Sequence, residues 1–160
     1  MNVESVFQAY IVSNPDLVVC DIDSFDYEIV SQILGIGVRP SVFCVEYNPS
    51  FPVDEVLWVK FDQAYLSATN PRIYGASYKA WQQLFTQFGY KLVHVSGFCN
   101  LFWVQEEKGE IFSTPNILEE VTDTDEKVKQ YIVSWCLPDF KPSWIDSPQL
   151  TKNQLESLKR

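Results

Sequence analysis

Two short apolar runs, each followed at once by acidic residues, constrain the fold of this chain more than any other feature. The first is LVVCDI at residues 17–22, which contains Asp21 and leads directly to Asp23. The second is SVFCVE at residues 41–46, which ends in Glu46. A helical apolar pattern fills residues 24–34 between them. A strand–helix–strand unit of this kind is normally parallel and right-handed. The sequence therefore predicts an α/β fold with a mainly parallel sheet.

The first run is apolar at nearly every position, which is typical of a strand covered on both faces in the middle of a parallel sheet. Ser24 is predicted to be the N-cap of the helix that follows this strand, and Gly35 is predicted to end that helix. Residues 91–95 and 101–104 are predicted to form an antiparallel pair at the end of the sheet. Further helices are predicted in four places: the first dozen residues, a segment capped by Ser77, residues 125–136, and a short last helix with a Thr151/Gln154 capping box.

The charge and composition exclude several classes of function. The net charge is −9 with a pI near 4.5, so most of the surface repels a nucleic-acid backbone. No apolar run is long enough to span a bilayer, and the first residues lack the pattern of a secretory signal. We expect a cytoplasmic protein that binds neither nucleic acid nor membrane.

The cysteines and the single histidine are predicted to be structural. None of the four cysteines forms a CxxC pair, and His94 is the one histidine, so a Cys/His zinc site is not expected. His94 lies between two valines of a predicted strand. The thiols are expected to be reduced and to pack as small apolar groups; they are Cys20, Cys44, Cys99 and Cys136.

Polar residues gather where the predicted strands end, which is where open α/β sheets bind ligands. Adjacent strands lie roughly 5 Å apart, so Asp23 and Glu46 are expected to approach each other. Two such carboxylates repel unless they share a proton or a cation, and Mg²⁺ prefers oxygen ligands. The alternatives remain open: Asp23 caps the helix, and Glu46 pairs with a basic side chain. The basic candidates are Arg39, Lys60 and Arg72.

The order of motifs resembles the second half of class I S-adenosylmethionine-dependent methyltransferases of the FkbM-like kind. The matching stretches are VVCDIDSFDYEIVSQIL, RPSVFCVEYNPSF and YGASYKAWQQLFTQFGYKLVHVSGFCNLFWV, which cover about residues 16–104. In that family a strand ending in DxD, a strand ending in ExN and a helix opening with GAS follow one another. Asn100 matches an asparagine that precedes the last strand.

The resemblance implies methyl transfer from S-adenosylmethionine to a hydroxyl of a small molecule or sugar. It implies catalytic roles for Asp21, Asp23 and Glu46, and a Mg²⁺ site at Asp23, Glu46 and Asn48. It implies contacts with the acceptor from five residues: Tyr47, Asn48, Tyr74, Ser77 and Asn100. The expected fold is a Rossmann-like sheet that lacks its first strands, over residues 1–104, with residues 105–160 as an extension packed on it.

The chain departs from the family in its first half. Only about 15 residues precede the DxD strand, and none of the six glycines forms the clustered loop that holds the cofactor there. We therefore expect a homo-oligomer or a second chain that completes the sheet. Two alternatives from other classes remain, a non-catalytic interaction protein of the same fold and a DxD metal-dependent phosphohydrolase. A glycosyltransferase also uses DxD, but nothing upstream supplies its nucleotide-binding half.

Overall fold

A computed structural model describes residues 3–10, 14–63, 70, 72–96, 99–115 and 150–159 of the chain. The helix predicted at 125–136, which includes Cys136, lies outside these residues. The described helices are α1 (Val3–Tyr10), α2 (Asp26–Gly35), α3 (Tyr78–Gln87) and α4 (Lys152–Leu158). The strands are β1 (Leu17–Cys20), β2 (Val42–Glu46), β3 (Tyr90–Ser96) and β4 (Asn100–Gln105).

The four strands form one mixed sheet in the order β1–β2–β4–β3. Strands β1 and β2 are parallel, whereas β4 pairs antiparallel with both β2 and β3. The antiparallel closing pair is confirmed. The expectation of a mainly parallel sheet is wrong for the described residues, because the short β3–β4 hairpin folds its second strand back against β2.

The core lies on one face of this sheet, under α2 and α3. Inward residues of neighbouring strands, such as Phe43 on β2 and Trp103 on β4, are paired in register and buried. Phe85 of α3 stacks on Trp103 with ring centroids 4.8 Å apart and lies 5.2 Å from Phe43. The helical spacing of α3 thus buries its aromatic face, as the sequence predicts.

Strand β1 does not lie in the middle of the sheet. Within the described residues it is an end strand, and Leu17 and Val19 are 52% and 61% exposed. Burial on both faces therefore does not explain its continuous apolar pattern. The prediction that this strand lies in the middle of the sheet is wrong. Val18 and Cys20 point to the covered face, where Cys20 is buried.

Two of the three predicted N-caps are confirmed, and the third is wrong. Ser77 caps α3 by accepting from the Ala80 N–H, and Thr151 forms the predicted capping box with Gln154. Ser24 does not cap α2, which begins at Asp26 after Phe25 without a side-chain cap. The Asp26 carboxylate instead accepts from the turn that precedes the helix.

Helix α4 and the long loop after β2 form a second apolar cluster, consistent with an extension packed on the α/β unit. Its buried members are Phe51, Leu57, Val59, Ile73 and Leu158. The predicted division after residue 104 itself stays a prediction. None of the helices in the described ranges has the length and apolar character needed to cross a membrane.

Candidate functional site

Asp21, Asp23 and Glu46 converge at the carboxyl ends of β1 and β2. One carboxylate oxygen from each of the three lies within 4.8 Å of the others. Asp21 and Asp23 are exposed, and Glu46 is half-buried. The parallel pairing of β1 with β2, Cys20 beside Val45, brings the two strand ends together. The sequence argument for adjacent strands predicts this meeting.

A buried aspartate that sequence reasoning missed builds the turn that carries two of these carboxylates. Asp26 is 2% exposed, and its oxygens accept the N–H groups of Ile22 at 2.8 Å and Ser24 at 2.9 Å. Between these two donors, Asp23 adopts a left-handed backbone with φ of 54°. Aspartate tolerates this conformation better than most residues, at a cost of order 1–2 kcal/mol. The sequence offered no signal for this role, because the Asp26 side chain accepts from residues that precede it, whereas the familiar Asx turn accepts from the residue two positions further on.

The electrostatics of the cluster favour a proton or a cation. Burial raises the pKa of Glu46 to about 7; the hydrogen bond from the Cys99 thiol opposes this rise, and the charges of Asp21, Asp23 and Asp26 add to it. Burial, followed by the charges of Asp21 and Asp26, also raises the pKa of Asp23. Both pKa values are raised, which is the change expected for neighbouring carboxylates that repel one another.

Within the described residues, the three basic candidates do not give Glu46 the structural role left open by the sequence. Arg39 donates to the carbonyls of Leu34 and Val38, and the Lys60 ammonium lies 5.9 Å from the centre of the Trp58 ring. Arg72 is buried, and its guanidinium reaches the Ser50 hydroxyl. A cation beside Glu46 would lower its pKa, whereas the charged groups that act on this carboxyl from the described part of the chain are acidic.

Tyr74 and Asn100 are neighbours of Glu46 in the cluster. Tyr74 is half-buried, and its pKa is raised well above the usual range by burial first and then by the charge of Glu46. Asn100 lies directly opposite Glu46 in the β2–β4 register. Its side-chain amide lies 3.8 Å from the buried Cys99 sulfur. These two predicted acceptor contacts therefore lie at the site.

Asn48 and Ser77 hold the backbone around the site instead of facing a ligand. The Asn48 amide nitrogen donates to the carbonyls of Arg72 at 2.7 Å and Tyr74 at 2.8 Å, and its oxygen accepts from the Ser50 N–H. The residue is completely buried, so these bonds occupy its amide. Asn48 does not fit the role of a metal ligand.

The Ser77 hydroxyl is also engaged within the fold. It donates to the Glu55 carbonyl at 2.6 Å and accepts from the N–H groups of Leu57 and Ala80. Tyr47 is 2% exposed. These two predicted contacts with the acceptor are therefore buried, and the Ser77 side chain supports the start of α3.

The chemistry of the remaining donors fits a divalent cation. Opposite ligands of an octahedral ion lie about 4.2 Å apart for Mg²⁺ and about 4.8 Å apart for Ca²⁺, which is twice the metal–oxygen distance. The carboxylate oxygens of the cluster lie within 4.8 Å of one another, so one divalent cation can reach all three side chains. Asp21 thus replaces Asn48 in the predicted ligand set.

Comparisons with protein-family models, curated proteins and solved structures found no match to this chain.

Proposed function

We propose that this chain is a methyltransferase-like protein that acts on a hydroxyl group of a small molecule or sugar. The observation that carries the proposal is the meeting of Asp21, Asp23 and Glu46 at the ends of two parallel strands. The order of the motifs in the sequence links that site to methyl transfer. The parallel pair followed by an antiparallel closing pair is consistent with the same resemblance.

Each carboxylate has a role in this proposal. Glu46 takes the proton of the acceptor hydroxyl, because a base whose pKa lies near the working pH transfers protons most effectively. Asp21 and Asp23, on the exposed side, would hold a divalent cation, whose charge would lower the pKa of the hydroxyl. Tyr74, whose hydroxyl feels the charge of Glu46, orients the acceptor hydroxyl.

The methyl donor fits the described residues poorly. A clustered glycine loop after a strand, the usual holder of S-adenosylmethionine in the family, does not occur in the sequence. We therefore derive no step through the donor and propose that a second chain supplies its pocket. Cytoplasm is the proposed compartment, and Cys20, Cys44 and Cys99 are free thiols, as a reducing compartment requires.

Calorimetry tests the proposal in two stages. Titration with MgCl₂ at pH 8 should release or absorb heat with one ion bound per chain, and Asp21→Asn should remove that binding. Glu106→Gln, at an exposed position one residue beyond the far end of β4, is the matched control. S-adenosylmethionine is then titrated into the Mg²⁺-loaded chain. Heat at millimolar ligand supports methyl transfer. No heat, either with the chain alone or after a partner chain that copurifies with it is added, favours the interaction protein described next.

One observation favours a second function, a non-catalytic protein that assembles through β1. This strand ends the described sheet and exposes Leu17 and Val19 on one face. Uncovered edge strands pair readily with other strands. If this function holds, the mass of the chain measured by light scattering rises with concentration or with a partner, and Val19→Lys returns it to a monomer.

A phosphohydrolase would instead release phosphate from an aryl phosphate with Mg²⁺, and Asp21→Asn would abolish that release.

A further inference from the structure

The two edges of the described sheet are protected to different degrees. Strand β3 forms one edge, carries Lys91, and has a register shift between Leu92 and His94. Bulges and charged side chains of this kind discourage the pairing of a further strand. Strand β1 forms the other edge, and its sequence LVVC contains no charged residue, proline or register shift. Within the described part of the chain, β1 is therefore the edge that is open to another strand.

Two residues of β1 direct their backbone groups away from the sheet. The Val42 N–H donates to the Asp16 carbonyl at 3.0 Å, and the parallel register then places Leu17 beside Val42. Successive residues of a strand direct their backbone groups to opposite sides, so Val18 faces β2 and the N–H and C=O groups of Leu17 and Val19 point outward. Since β1 has four residues, a strand laid along it would form hydrogen bonds with these two.

The side chains of the same two residues end an apolar row on the second face of the sheet. Leu17 and Val19 lie beside Val42 and Cys44 of β2 and are largely exposed, whereas Cys44 is buried. Two residues of β4 continue the row, Phe102 and Val104. An apolar strand paired with β1 would extend this row and remove the Leu17 and Val19 side chains from water, which stabilises the pairing.

The charges at both ends of β1 are negative. Asp16 directly precedes the strand and Asp21 directly follows it, and both are exposed. The ion pairs within the described residues join Lys159 to Glu55 and Glu156, so a basic side chain neutralises neither aspartate there. The whole chain carries a net charge of −9, so a second copy would bring like charges together. A strand with basic residues at its ends would instead meet opposite charges.

We propose that β1 binds a strand of a different polypeptide, apolar in its middle and basic at both ends. The proposal gives the chemistry of the second chain in the proposed function, and in that respect it rests on the proposed function. It depends neither on methyl transfer nor on a bound cation. The partner strand is recognised by hydrogen bonds to the outward groups of β1, by burial of Leu17 and Val19, and by its charge.

Hydrogen exchange of the full chain in EDTA, with synthetic peptides added, tests the proposal. The probe has a core of alternating valine and threonine flanked by lysines. One control peptide carries glutamates in place of the lysines, and another carries a central proline, which cannot donate to a ladder. At millimolar probe the Leu17 and Val19 amides should exchange at least about tenfold more slowly, because both become hydrogen-bonded. The Val18 amide already faces β2 and should change little.

Variants of the chain separate strand pairing from other modes of binding. Val19→Pro removes one outward N–H and no bond to β2, so it should abolish the slowing at Leu17, while amides of the β2–β4 pair report an intact sheet. Val19→Thr keeps that N–H and should still bind the probe. Asp16→Asn should weaken binding by up to about fivefold, the range of one exposed ion pair. Asp62→Asn, at an exposed position of the loop after β2, should not.

The proposal is overturned by unchanged exchange at millimolar probe, or by equal binding of the probe and either control peptide. It is also overturned if the Leu17 and Val19 amides exchange slowly in the chain alone. Protection that grows with protein concentration would then identify a second copy as the occupant, and constant protection would identify a part of this chain outside the described residues. None of these readouts uses a cation or S-adenosylmethionine. Failure of the pairing is therefore distinguishable from failure of the proposed function.

Discussion

Replacing Glu46 by glutamine should stabilise the protein at alkaline pH, which is unusual for the loss of a native side chain. The folded state raises the pKa of this carboxyl from 4.5 to about 7, so the folded chain holds its proton more tightly than the unfolded chain. The contribution to stability is fully present below pH 4.5 and is lost as the pH rises through 7. Burial is the main cause, and the neighbouring aspartates add to it.

The size of the effect follows from the same values. A rise from 4.5 to about 7 corresponds to about 3 kcal/mol of unfolding free energy lost by the wild type between pH 4.5 and pH 8. This is an upper value, because Glu46 is only half-buried and keeps some contact with water. Glu46→Gln removes the titration, so the variant should be more stable than the wild type at pH 8 by up to this amount, and similar to it at pH 4.5.

Urea denaturation at pH 4.5, 6 and 8 measures both proteins. Glu106→Gln is the control, since it removes the same charge from an exposed position and should change stability by less than about 0.5 kcal/mol. Saturating MgCl₂ should stabilise the wild type at pH 8 by offsetting the repulsion. A wild type whose stability does not fall between pH 4.5 and 8, or a Glu46→Gln variant that is the weaker protein at pH 8, would refute the reasoning.

Three further predictions concern the residues around the cluster. Asp26→Ala should lose about 2–3 kcal/mol in urea denaturation, because two backbone donors lose a charged acceptor, and an unchanged midpoint would contradict this. Asn48→Asp places a carboxylate against two carbonyl oxygens and should be strongly destabilising without tighter Mg²⁺ binding in calorimetry; tighter binding would show that the side chain is a ligand after all. Asp23→Gly should be more stable than Asp23→Ala by about 1 kcal/mol, because φ is positive there; equal melting curves would argue against the left-handed turn.

Local patterns predicted much of this fold. The caps at Ser77 and Thr151 could be predicted because a capping hydroxyl accepts from the N–H three residues further along the chain, which is a fixed distance in sequence. The convergence of Asp23 with Glu46 was readable as well, because one connecting helix makes neighbours of two parallel strands.

Other features depend on tertiary context that a pattern does not contain. The apolar run of β1 predicts a central strand, yet β1 lies at the end of the described sheet. The position of a strand depends on which other strands pair with it, and the run itself does not contain that information. Asn48 has the chemistry of a ligand, but its role is decided by two carbonyls that lie 24 and 26 residues away. The role of Asp26 could not be predicted either. An aspartate in the first turn of a helix is usually solvent-exposed, whereas Asp26 is buried under the turn.

A crystal of the full chain grown with millimolar Mn²⁺ gives the most direct test of the central claim, that the carboxylates at these two strand ends form a centre in which Asp21 and Asp23 bind a cation beside Glu46. The account predicts a single anomalous peak between the side chains of Asp21 and Asp23, next to Glu46, which disappears in Asp23→Asn. A cluster without the peak, or one neutralised by a lysine or arginine from elsewhere in the chain, would contradict it.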